Sequence, residues 1–70
     1  MAIYSAKDFG QIIKERRKEL GYTQAKVCEL TGFSASFVSD LENGKKTIEF
    51  EKSIKLANLL GLNFELTKRD

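Results

Sequence analysis

Hydrophobic residues recur at helical spacing in four stretches of the chain. Within each stretch the apolar positions lie three or four residues apart, which is the pattern of a helix that buries one face. These positions are Phe9, Ile12, Ile13 and Leu20, then Val27, Cys28 and Thr31 with Leu30 beside them, then Val38 and Leu41, and finally Phe50, Ile54, Ala57 and Leu60. The pattern predicts helices near residues 6–20, 24–31, 35–43 and 49–60.

Start and stop signals agree with these helices. Three starts share an aromatic residue followed by a hydroxyl residue, in the pairs Tyr4-Ser5, Tyr22-Thr23 and Phe33-Ser34. The hydroxyl of such a pair caps the first turn, and the aromatic ring packs onto the helical residue five positions further on. The start of the fourth helix is less clear, at Thr47 or Glu49. A glycine follows each predicted helix, as is common at helix ends: Gly21, Gly32, Gly44 and Gly61.

After Gly61 the pattern changes to strict alternation. Leu62, Phe64 and Leu66 are separated by single polar residues, a period of two that is typical of a half-buried strand. No other segment has this pattern, so the strand would leave its backbone groups without partners. The same strand of a second copy, related by a two-fold axis, is the simplest partner. The sequence therefore predicts a homodimer joined through Asn63, Phe64, Glu65, Leu66 and Thr67.

Composition narrows the classes of function. Seventy residues make one small domain, 1–70, with a marginal core. With one cysteine and no histidine, the chain lacks the ligands of a structural zinc site, and Cys28 lacks a histidine to activate it as a nucleophile. We expect no metal, no cofactor and no enzymatic activity. The formal net charge of +2 permits binding to nucleic acid without requiring it.

Targeting signals are not evident. The first residues lack the apolar region of a signal peptide, and no apolar run approaches the ~20 residues of a membrane span. We therefore expect a cytoplasmic chain with no membrane partner.

The second and third predicted helices are short, and only residues 32–34 separate them. Short helices joined by a tight, glycine-containing turn form a helix-turn-helix, whose second helix places its N-terminal residues against base edges in the DNA major groove. The residues expected to contact bases are Ser34, Ala35, Ser36, Ser39 and Asp40. None of them is Arg, Gln or Asn, so direct base readout is expected to be modest and DNA shape to supply the rest.

The run from Tyr22 to Lys45 resembles the Cro/cI (XRE) helix-turn-helix family. The matching features are Thr23-Gln24 at the start of the second helix, Gly32 in the turn and Glu42-Asn43-Gly44-Lys45 after the third helix. The first helix also ends in the manner of the family, with Arg16-Arg17-Lys18-Glu19-Leu20-Gly21. The resemblance implies a lambda-repressor-like fold, which is all-α with four or five short helices, here with one C-terminal strand.

The same resemblance implies roles for individual residues. It implies an ion pair between Arg17 and Glu42 that supports the scaffold. It also implies contacts to DNA phosphates from four residues beside the third helix: Gln24, Asn43, Lys45 and Lys46. The alternative for these four is that they are ordinary exposed or helix-capping residues, since cations near a helix C-terminus are favourable in any case.

Two segments, Phe37 to Lys45 and Leu59 to Leu66, are similar to HipB-type antitoxins. The resemblance implies three partners: double-stranded operator DNA, a second copy through the C-terminal strand, and a HipA-type kinase toxin. It therefore implies an antitoxin that represses its own operon. The alternatives are a stand-alone phage-type repressor without a toxin and an antitoxin that acts only as a protein-interaction module. Salt-dependent binding to the chain's own promoter would separate the last from the others.

Overall fold

The computed structural model describes residues 2–70 and contains four helices in that range. They are α1 (Ala6–Glu19), α2 (Gln24–Thr31), α3 (Ala35–Glu42) and α4 (Phe50–Leu59). Each predicted helix is confirmed, and each bound agrees with its predicted position to within one residue.

Local hydrogen bonds fix where the first three helices begin. The side-chain oxygens of Ser5, Thr23 and Ser34 accept hydrogen bonds from the backbone N–H groups three residues ahead, at 3.0, 3.0 and 3.1 Å. Helix α4 begins after Glu49 without a side-chain cap. Helix α2 ends at Gly32, whose left-handed backbone, with φ at +80°, turns the chain towards α3.

The core lies where α1, α2 and α4 meet α3. Its buried side chains come from all four helices: Ile13, Val27, Val38, Leu41, Leu56, Ala57 and Leu60. Helices α1 and α3 are in close contact at Gly10, where a side chain would overlap the backbone at the end of α3. The lack of a side chain at Gly10 therefore allows the two helices to pack with their backbones in contact.

The buried face of α4 differs from the predicted one. The structure buries Ser53 and Leu56 together with Ala57 and Leu60, whereas the ring of Phe50 is 65% exposed. A serine can occupy the buried position because its hydroxyl donates a hydrogen bond of 2.6 Å to the carbonyl of Glu49. The prediction that Phe50 belongs to the core is therefore wrong.

The predicted C-terminal strand is not formed in the single chain. Residues 62–70 have no regular secondary structure, because the hydrogen bonds of a strand require a neighbouring strand and residues 2–70 provide none. The segment is still anchored. The ring of Phe64 lies edge-on between Phe9 and Phe50, with centroid distances of 5.7 and 5.6 Å. Leu66, two residues further on, is 92% exposed.

Candidate nucleic-acid interface

Helices α2 and α3 form a helix-turn-helix whose inner side is held in the core. Val27 of α2 and Val38 of α3 are both buried. At the turn, the rings of Phe33 and Phe37 pack with their centroids 5.0 Å apart, and the ammonium group of Lys52 lies 5.7 Å from the centroid of Phe37. Phe37 is therefore part of the scaffold, and α3 is fixed along this side.

The opposite side of α3 faces outward. Ser34, Ala35 and Ser36 are exposed at its start, and Ser39 and Asp40 are half-buried one turn later. The five residues predicted to contact bases therefore lie together on the outer side of one helix. Their grouping follows from the helical period, because Val38, Leu41 and Glu42 occupy the inner side.

Two polar side chains of this outer side are hydrogen-bonded to residues that follow α3. The hydroxyl of Ser39 accepts a hydrogen bond of 3.3 Å from the side-chain amide of Asn43. The carboxylate of Asp40 accepts one of 3.4 Å from the ammonium group of Lys45. Residues predicted to contact bases are thus linked in pairs to residues predicted to contact phosphates.

The loop that carries the two lysines is held against the start of α1. A side chain at Gly44 would lie 2.7 Å from the Cα atom of Lys7, and Gly44 itself has a φ of +79° that favours glycine. Lys45 and Lys46 follow directly and are both exposed. The close packing at Gly44 therefore fixes the position of the backbone of Lys45 and Lys46 relative to α3.

Behind the interface, Arg17 and Glu42 form the ion pair that the family resemblance implies. Arg17 Nε lies 2.7 Å from Glu42 Oε2, and Arg17 Nη2 lies 3.0 Å from Glu42 Oε1. The side chains are only 11% and 2% exposed. The third donor of the guanidinium, Nη1, donates to the carbonyl of Tyr22 at 2.8 Å. The pair thereby joins the ends of α1 and α3 to the start of the helix-turn-helix.

Gln24 has a partner that the sequence analysis missed. Its side-chain Nε2 donates a hydrogen bond of 3.0 Å to Glu42 Oε1, so the amide is turned towards the ion pair. No local signal identifies this contact, because Gln24 and Glu42 are 18 residues apart in the chain. The phosphate contact predicted for Gln24 stays a prediction, and it would require a second hydrogen bond from the same amide or from the backbone of α2.

The ion pair perturbs both of its members. Burial by itself would raise the pKa of Glu42, but the hydrogen bonds from Arg17 and Gln24 and the charges of Arg17 and Lys14 outweigh it and lower that pKa. The hydrogen bond to Glu42 likewise raises the pKa of Arg17. Both side chains are therefore charged at neutral pH, and each stabilises the other.

No cluster of three or more His, Cys, Asp or Glu side chains is arranged to hold a metal ion in residues 2–70. In the same range no helix has the length and apolar character needed to cross a membrane.

Comparison with known families agrees with this geometry. The family model described as helix-turn-helix matches residues 13–66, which include the whole of α2, α3 and α4. This chain belongs to the helix-turn-helix family. The matched range contains both members of the Arg17–Glu42 pair and the full outer side of α3.

Individual relatives of this helix-turn-helix protein are similar over most of its length. The ImmF control region 10 kDa protein of Bacillus phage phi105 is 31% identical over 62 residues, which are 89% of this chain and 69% of that protein. Among solved structures, HipB in the HipB–O4 20mer complex and in the HipA–HipB–O2–O3 complex each match with a TM-score of 0.88. Both are 23% identical, covering 100% of this chain and 99% of the matched chain. These structures share its fold.

Proposed function

We propose that this helix-turn-helix protein is a sequence-specific transcriptional repressor that binds operator DNA as a dimer. The observation that carries the proposal is the outer side of α3. It is free of the core and lies beside the exposed cations Lys45 and Lys46. A protein of the same fold is solved as the HipB–O4 20mer complex, which supports a DNA-binding role for this surface.

In this proposal α3 lies in the major groove. The hydroxyls of Ser34, Ser36 and Ser39 can bond to several bases, Ala35 can contact a thymine methyl group, and Asp40 can accept a hydrogen bond from a base amino group. Phosphate contacts come from Gln24, Asn43, Lys45 and Lys46 and set the register of the protein on the duplex. Because strong base-reading side chains are lacking, DNA shape contributes to recognition.

The dimer is proposed to form through residues 63–67. Leu62 and Phe64 are half-buried on their own chain, whereas Leu66 of the same alternating face is 92% exposed. Antiparallel pairing with a second copy would bring Leu66 beside the apolar surface at the partner's Phe64. A two-fold dimer would also place two α3 helices about 34 Å apart, one turn of DNA, on one side of the duplex.

We further propose that the protein is an antitoxin of the HipB type, which acts in the cytoplasm by binding and not by catalysis. The HipA–HipB–O2–O3 complex contains a protein of the same fold together with HipA, so a HipA-type kinase toxin is the partner to test. A stand-alone phage-type repressor is the second candidate, and the similarity to a control-region protein of a Bacillus phage favours it. A third candidate is an antitoxin that acts only as a protein-interaction module.

The DNA-binding proposal is tested on a duplex of the promoter upstream of the protein's own gene. Fluorescence anisotropy between 50 and 200 mM salt should show tighter binding to this duplex than to a scrambled one, with affinity falling steeply as salt rises. Lys46→Ala should weaken binding to both duplexes alike and reduce the salt slope by about one. Equal, salt-independent binding to both duplexes would contradict the proposal.

The antitoxin proposal has its own test. The protein is co-expressed with the product of the adjacent gene and purified through a tag on that product. Co-purification in a fixed ratio that survives nuclease treatment is the expected result. If the neighbour does not bind, while the promoter duplex does, the stand-alone repressor is the correct function.

A further inference from the structure

The inference concerns Asp40 and Lys45 on the outer side of the helix-turn-helix. The Lys45 ammonium lies 3.4 Å from Asp40 Oδ2, and the two side chains are 52% and 45% exposed. The backbone N–H of Lys45 also donates to the carbonyl of Asp40 at 3.0 Å. This backbone bond holds Lys45 next to Asp40. The ion pair can therefore form without the entropy cost of ordering a flexible loop.

The Asp40–Lys45 ion pair differs from the other exposed ion pairs in the predicted roles of the two residues that it links. Lys26–Glu29 and Lys52–Glu49 have the same 3.4 Å separation, but each spans three residues along α2 or across the start of α4. Only Asp40–Lys45, among the ion pairs of residues 2–70, links a residue predicted to contact bases with one predicted to contact phosphates.

The pair gives Lys45 two competing partners when DNA is present. A phosphate can attract Lys45 away from Asp40, but the carboxylate is then left without a cation beside a polyanion. An ionised carboxylate only accepts hydrogen bonds. In the major groove the exposed donors are the amino groups of cytosine and adenine, whereas guanine and thymine present acceptors or a methyl group at the same positions.

We propose that the Asp40–Lys45 pair makes the phosphate contact of Lys45 conditional on a base amino group within reach of Asp40. On such a base, Asp40 gains a donor and Lys45 is released to the backbone. Where the strand nearest Asp40 presents guanine or thymine at that position, Lys45 stays on Asp40, and the protein loses one phosphate contact. The inference rests on the proposed DNA binding and assigns to Asp40 a role in rejecting wrong sequences, in addition to reading the right one.

The test compares four proteins: the native chain, Asp40→Ala, Lys45→Ala and the double variant. Each is titrated with the promoter duplex and with a scrambled duplex between 50 and 200 mM salt. Compared with the native chain, Lys45→Ala should reduce the slope of log affinity against log salt concentration by about one on the promoter duplex. On the scrambled duplex it should leave this slope unchanged. Asp40→Ala should strengthen binding to the scrambled duplex by about two- to fivefold, the range expected for an exposed ion pair.

The decisive quantity is the slope of log affinity against log salt concentration on the scrambled duplex. It should steepen by about one in Asp40→Ala and not in the double variant, because the steepening comes from the released Lys45. Promoter duplexes changed at single base pairs should reveal one position where the native chain prefers cytosine or adenine by roughly tenfold. Asp40→Ala should lose that preference.

Glu29→Ala is the matched control, since it removes the same charge from an ion pair of equal length on α2. It should not change the salt slope on either duplex. If Glu29→Ala and Asp40→Ala behave alike, or if Lys45→Ala flattens both slopes equally, the conditional contact is wrong although the protein still binds DNA. If the native chain binds neither duplex in a salt-dependent manner, the proposed function itself fails.

Discussion

Gly10 in α1 packs directly against the backbone carbonyl of Leu41 in α3. A Cβ atom at Gly10 would overlap the carbonyl oxygen of Leu41 and would lie 2.8 Å from that of Glu42. The contact sits close to the Arg17–Glu42 pair, which joins the same two helices. The absence of one side chain therefore determines how near α1 comes to the end of α3.

Gly10→Ala should destabilise the protein by about 2 kcal/mol or more, since overpacking at a fixed backbone commonly costs this much. The sign of this change in the free energy of unfolding is informative, because replacing glycine by alanine in an exposed helix interior stabilises a protein by about 1 kcal/mol. Urea denaturation measures the difference. Gly32→Ala, with no atom within 4 Å of the added Cβ but a φ of +80°, should cost only about 1 kcal/mol. A neutral or stabilising Gly10→Ala would show that the helices are further apart.

Arg17→Met should destabilise the fold by about 3–5 kcal/mol, because it leaves the carboxylate of Glu42 buried without its cation. Arg17→Lys should recover little of this loss. An ammonium cannot reproduce the planar set of donors that bonds two oxygens of Glu42 and the carbonyl of Tyr22 at once. Thermal unfolding followed by circular dichroism compares the two variants. Full stability in Arg17→Lys would mean that charge alone, and not geometry, matters at this site.

The ion pair also predicts a pH dependence. The pKa of Glu42 is lower in the folded chain than its ordinary value, so the ionised form contributes stability that is complete above about pH 4.3, the pKa of an unperturbed glutamate. That stability is lost as the pH falls below this value and Glu42 becomes protonated. Urea unfolding at pH 3 to 6 should show the loss in the native chain and a smaller one in Glu42→Gln. The exposed Glu65→Gln is the control, and it should keep the native profile.

Leu66→Ser should weaken the proposed dimer by about tenfold or more, since each copy would lose an apolar side chain buried at the interface. Leu66 is 92% exposed in the single chain, so this substitution should leave the stability of the monomer unchanged. Leu59→Ser is the matched control, because Leu59 is also an exposed leucine but lies on α4, outside residues 63–67. It should leave the dimer intact. Sedimentation velocity over a range of concentrations distinguishes the two.

Removing residues 63–70 is the stronger form of the same experiment. The truncated chain should sediment as a monomer, keep its helical circular dichroism and bind DNA much more weakly. Persistence of the dimer after truncation would place the interface elsewhere, with α4 as the next candidate surface.

The helices could be predicted from the sequence because their boundaries depend on nearby residues. Ser5, Thr23 and Ser34 bond to groups three residues away, so the information lies within each segment. In α4 the apolar pattern predicts that Phe50 is buried, whereas the structure buries Ser53 and Leu56. Hydrophobicity alone cannot identify Ser53 as a buried residue, because its burial depends on a hydrogen bond to Glu49.

The candidate interface could be predicted only as a set of residues. Helical spacing places Ser36, Ser39 and Asp40 on one side of α3, and the sequence shows that spacing directly. The pairing of Asp40 with Lys45 and of Gln24 with Glu42 could not be predicted, because it depends on side-chain positions after α1, α2 and α3 have packed. The predicted C-terminal strand would need a second chain to pair with, and residues 62–70 of the single chain have no regular secondary structure.

The local caps that begin α1, α2 and α3 have a kinetic consequence. Each of these helices can start to form before the distant parts of the chain meet, so the unfolded chain must find few long-range contacts to complete the fold. Helical domains of this kind refold in microseconds to milliseconds. A molecule that opens by thermal fluctuation would therefore close again within about that time, which limits how long its core is exposed to other molecules.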